Sequence, residues 1–169
     1  TAPVEARPPR PLAPSSLGRD EAASPPPSTP AMRDAALRGR LLHGLFERLP
    51  ALAPETREAA ALRWLEQAAG VDDAALRARL AGDACAILAD PRFAALFRPD
   101  ALAEAPIAAV VGEQVVAGTV DRLLVDADRV LVVDFKTGTR VPATAEAAPV
   151  EHLRQMAAYI AALEVVFPG

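Results

Sequence analysis

A chain of 169 residues that is 51% hydrophobic can bury the core of one domain, and with only 4% aromatic residues that core is built mainly from alanine, leucine and valine. No apolar run approaches the ~18 residues that span a bilayer, and a single cysteine, Cys85, excludes a disulfide framework or a four-cysteine iron–sulfur or zinc site. The net charge of −4 opposes broad, non-specific attraction to nucleic acid.

Residues 1–30 hold most of the proline, including Pro25-Pro26-Pro27, and read as an extended, disordered linker to an upstream neighbour. With no initiating methionine and no signal peptide, the chain reads as part of a longer one. The lone cysteine, expected to be a buried small hydrophobe, fits the reducing cytoplasm.

Residues 31–169 form the folded domain. Thr29 caps a helix that Pro30 opens and Pro50 ends, with Leu37, Leu41 and Leu45 as its apolar stripe. Gly39 and His43 lie one turn apart on another face. Pro54 starts a second helix that Gly70 stops, Asp72 caps a third, and Asp90-Pro91 begins a short helical turn carrying Phe93 and Phe97. These elements carry apolar stripes and surface charge, and read as scaffold.

From about Ala101 the period changes to that of strands. One strand covers 103–111, Gly112-Glu113 turns the chain, and strands over 114–125 and 130–136 pair as a hairpin around Ala127-Asp128. In that register Val125 faces Val130 and Asp121 faces Asp134. Directly opposed carboxylates repel, and a divalent cation relieves the repulsion because Mg²⁺ and Mn²⁺ prefer hard oxygen ligands. Lys136 shares a face with Asp134, while Phe135 points to the other layer. Two carboxylates and an ammonium around one spot point to a metal-dependent phosphodiesterase. A last helix over 151–166 puts Gln155 and Tyr159 on one face.

Gly39-x-x-x-His43, Asp121, Asp134-Phe-Lys136 and Gln155-x-x-x-Tyr159, in that order, resemble the RecB-type branch of the PD-(D/E)XK nucleases over about residues 33–166. The runs Arg38-Gly-Arg-Leu-Leu-His43 and Val-Val-Asp134-Phe-Lys136-Thr-Gly138 look most like the C-terminal nuclease domains of AddA-type helicase–nuclease subunits. The resemblance implies an α/β fold, a central mixed sheet flanked by helices, with an N-terminal helical part and a C-terminal end missing here. It implies a Mg²⁺-dependent deoxyribonuclease (Mn²⁺ also suits it), without an iron–sulfur cluster, that processes double-strand break ends for recombinational repair. His43, Asp121, Asp134 and the Phe135 backbone carbonyl would ligate the metal. Asp121, Asp134 and Lys136 would be the catalytic set, with Lys136 orienting the attacking water. Gln155, Tyr159, Thr137 and Arg140 would contact DNA or support the site, and Glu104 falls near a further acid of some relatives. DNA, an AddB-type subunit and the chain's own upstream helicase domains are the implied partners. A free-standing RecB-family exonuclease, or an idle DNA-binding module of the same fold, is the alternative.

Overall fold

The structure, a computed structural model, describes residues 13–14, 29–136 and 142–168. Their order is α1 (Pro30–Arg48), α2 (Pro54–Gln67), α3 (Ala74–Ala89), a 3₁₀ segment (Pro91–Phe97), β1 (Leu102–Val111), β2 (Gln114–Val125), β3 (Val130–Val133), a 3₁₀ turn (Ala145–Ala147) and α4 (Val150–Val166). Most of the proline-rich leader, with Thr137 and Arg140, lies outside the described residues. No helix among them is long and apolar enough to cross a membrane.

The chain divides into two compact units. One contains, among the described residues, 29–105 and 121–136. Its first helix starts where Thr29 Oγ1 accepts the Met32 N–H at 3.2 Å, with Pro30 at the first helical position. Leu41, Leu42, Leu45 and Phe46 of α1 are buried with Leu65 of α2 and Leu80, Ala81 and Ala84 of α3. Leu37, on the expected stripe, is instead 39% exposed. The α2 helix stops at Gly70, whose φ of 66° is the left-handed conformation a residue with a Cβ resists. Asp73, not Asp72, caps α3, its Oδ1 accepting from Ala75 and Leu76. Cys85 is half-buried and not buried as its apolar context predicts, while Phe97 and Phe135 pack against the helical core.

The other unit contains residues 13–14, 106–120 and 142–168. Ile107, Val116 and Val120 from its strand segments and Tyr159, Ala162 and Leu163 from α4 are buried. The Tyr159 hydroxyl donates to the Thr119 carbonyl at 2.9 Å, fastening α4 to β2 within this unit.

The strands form one sheet in the order β1-β2-β3. Short turns join consecutive strands, which makes neighbours antiparallel; no parallel strand occurs among the described residues, where a mixed sheet is expected. The hairpin register matches the sequence: Val125 pairs with Val130, Leu124 with Leu131, Leu123 with Val132 and Arg122 with Val133. The ladder stops there, before Asp134, and β3 does not continue to Lys136. Asp121 takes the Phe135 backbone N–H with its own side chain, and a donor so engaged does not serve the sheet ladder.

Candidate metal centre

The site belongs to the unit built on α1. Asp121 is its pivot. Asp121 Oδ2 accepts the Phe135 N–H, and Oδ1 lies 2.9 Å from His43 Nδ1. The His43 ring meets Phe135 edge-on at 5.8 Å between centroids, and Phe135 in turn packs on Phe46 at 5.0 Å. The imidazole is thus oriented by a carboxylate on one side and an aromatic wall on the other.

Glu104 completes the group. His43, Glu104 and Asp121 each offer a ligand atom within 4.8 Å of the others. Glu104 has φ of 48°, unusual for a residue other than glycine and costing roughly 1–3 kcal/mol where it persists. Such a backbone is held where the surrounding fold over-determines it, and here it belongs to the one cluster of metal-type donors among the described residues. The same residues line a cavity of about 10 Å³ together with Phe46, Glu47, Ala103, Arg122 and Phe135, close to the smallest space that admits a single water molecule.

The electrostatics call for positive charge. The hydrogen bond that His43 donates to Asp121 raises the His43 pKa above its ordinary value, against partial burial, with help from the charges of Asp121 and Glu104 and from the Phe135 backbone. Burial, then the charge of Asp121, pushes the Glu104 carboxyl up. One imidazole and two carboxylates converging on a cavity of this size suit a divalent cation with oxygen and nitrogen ligands.

Asp134 stands outside this trio. Its carboxylate pairs with the Lys136 ammonium, Asp134 nearly buried and Lys136 at 41% side-chain exposure. Gln155 and Tyr159 are both buried on α4. Sequence reasoning carried Glu104 only weakly and missed Arg122. Arg122 is 5% exposed, lies 5.2 Å from the Phe97 ring, and donates to the carbonyls of Phe46 and Ala101. Phe46 belongs to the last turn of α1, whose carbonyls lack helical partners, so Arg122 ties that helix end to β2 one residue after Asp121.

The chain matches the PD-(D/E)XK nuclease superfamily over residues 16–168 and belongs to that family. Membership suggests a nuclease: a phosphodiesterase that acts on DNA with divalent metal ions. No curated protein and no solved structure matches the chain.

Proposed function

We propose that this domain hydrolyses phosphodiester bonds of unwound DNA strands, as the nuclease part of an AddAB-type helicase–nuclease that processes broken ends for recombinational repair in the cytoplasm. The observation that carries the reading is the convergence of His43, Glu104 and Asp121 within 4.8 Å in a chain of a nuclease family. These three would hold a Mg²⁺ or Mn²⁺ ion, with Asp134 and the Phe135 carbonyl as the remaining protein ligands. A bound divalent cation neutralises charge on the phosphate oxygens and lowers the pKa of water. Phe135 fixes Asp121 by its N–H and His43 by its ring, so both donors are pre-oriented. Lys136, which pairs with Asp134, would orient the attacking water and meet negative charge as it develops. Tyr159, bonded to the Thr119 carbonyl of β2, and Gln155 would support the site or contact DNA, and Thr137 and Arg140, which follow Lys136 in the sequence, would contact the DNA backbone. Tethering to a helicase that feeds strands into the site raises effective concentration and offsets the acidic net charge.

The test is cleavage of single-stranded DNA with Mg²⁺ or Mn²⁺ by the wild type, Asp121→Asn and Asp134→Ala. Cleavage by the wild type that both variants lose supports the reading. A folded wild type that leaves the strand intact in either metal refutes it.

A further inference from the structure

A groove of about 540 Å³ runs along α1 beside the candidate metal centre, lined by Arg40, His43, Gly44, Arg48, Trp64 and Glu104. It shares His43 and Glu104 with that centre. Away from them, Arg48 lies over the Trp64 ring at 4.9 Å from its centroid, and its Nη1 donates to the Gly44 carbonyl at 2.9 Å and to Glu47 at 2.8 Å. Gly44 makes the arrangement possible: a Cβ there would lie 2.6 Å from Trp64 Cη2, so only glycine lets the indole lie so close to the helix. Arg40 is exposed and has no ion-pair partner among the described residues.

Core packing accounts for the inner edge of Trp64, which is half-buried against the helices. The outer part of the indole, with the Arg48 guanidinium over its ring, faces a groove that leads from two metal-type donors. Aromatic rings and arginine planes of this kind stack unpaired bases, and an adjacent free arginine suits a phosphate. Of the acids of the groove, Glu47 pairs with Arg48 and Glu104 is one of the three donors of the candidate metal centre.

We infer that the Arg48–Trp64 stack is the base platform for an unwound DNA strand entering the metal centre, with Arg40 on its backbone. The inference rests on the nuclease reading and deepens it, naming the side chains that would seat the strand. Trp64 is the sole tryptophan, so its fluorescence reports the platform directly. The full chain is titrated with a short oligothymidylate in EDTA, and again with Ca²⁺, following Trp64 emission and the anisotropy of labelled strand. Salt-sensitive quenching is expected, with affinity about tenfold weaker in Trp64→Leu and Arg48→Ala, in line with the stacking energy of a base. Arg48 is 45% exposed, so its variant keeps the test valid if Trp64→Leu unfolds. In Mg²⁺ the same variants should raise KM while kcat holds. Wild-type cleavage with silent Trp64 emission and unchanged variant affinities overturns the platform and leaves the nuclease reading standing. Quenching without cleavage in Mg²⁺ or Mn²⁺ supports the platform and sinks the nuclease reading. Duplex binding as tight as strand binding also overturns the platform.

Discussion

Asp121 holds His43 Nδ1 at 2.9 Å with one carboxylate oxygen and the Phe135 backbone N–H with the other. One side chain on β2 therefore links a helix residue to the segment just after β3. Both oxygens of the acid are committed before any ion arrives, which limits the rearrangement that binding requires.

That double engagement makes Asp121 the least replaceable residue of the site. Asp121→Asn, measured by divalent-ion titration and by strand cleavage, should lower turnover by more than the roughly 10–100-fold typical of losing a group that only orients a ligand. Phe135→Ala, which keeps the backbone N–H but removes the wall against His43, should fall within that smaller range.

The pH dependence follows from the raised His43 pKa. Metal and proton compete for the imidazole, so cation affinity should fall as pH drops through that raised value, with proton release on binding. In the metal-free protein the sign reverses. The folded-state pKa lies above the ordinary value of 6.5, so the stabilisation is full below about 6.5 and lost as pH rises through the folded value. Urea midpoints across that window, without metal, should decline with pH in the wild type and decline less in Asp121→Asn.

Lys136 should act on chemistry and not on metal affinity. Lys136→Ala is expected to reduce turnover by about 10²–10³, the cost of one donor aimed at developing charge. Its divalent-ion affinity, by calorimetry, should stay within a few-fold of the wild type, since the amine offers the ion no ligand.

Arg122 should act on stability. Arg122→Met leaves the Phe46 carbonyl without its buried donor, and should cost about 2–3 kcal/mol, seen as a lower urea midpoint at unchanged slope. Gly44→Ala has two opposed effects. Alanine gains about 1 kcal/mol in helix propensity, but its Cβ meets Trp64 at 2.6 Å, and overpacking costs about 1–3 kcal/mol. A net loss with shifted Trp64 emission is expected.

The elements of the fold were legible where one local rule governed them. Thr29-Pro30 marked the start of α1, and the β-branched runs around Asp126–Asp128 marked the hairpin and its register, because side-chain alternation ties register to burial. The end of β3 was not legible, since it depends on Asp121 capturing a backbone donor fourteen residues away. His43 and Asp121 were legible only as a combination of weak features in order; their 2.9 Å contact is tertiary. Glu104 was marked only by the family resemblance, because its positive φ has no signature in composition. Arg122 carried no signal of its own in the sequence, and is buried because the end of α1 and Ala101 offer it carbonyls.

Isothermal titration of Mn²⁺ into the metal-free protein, with Asp121→Asn and Glu104→Gln alongside, tests most directly whether His43, Glu104 and Asp121 form a metal centre. Saturable binding in the wild type, weakened in Glu104→Gln and abolished in Asp121→Asn, is the result predicted. A folded wild type that takes up no ion, or an Asp121→Asn variant that binds as the wild type does, would contradict it.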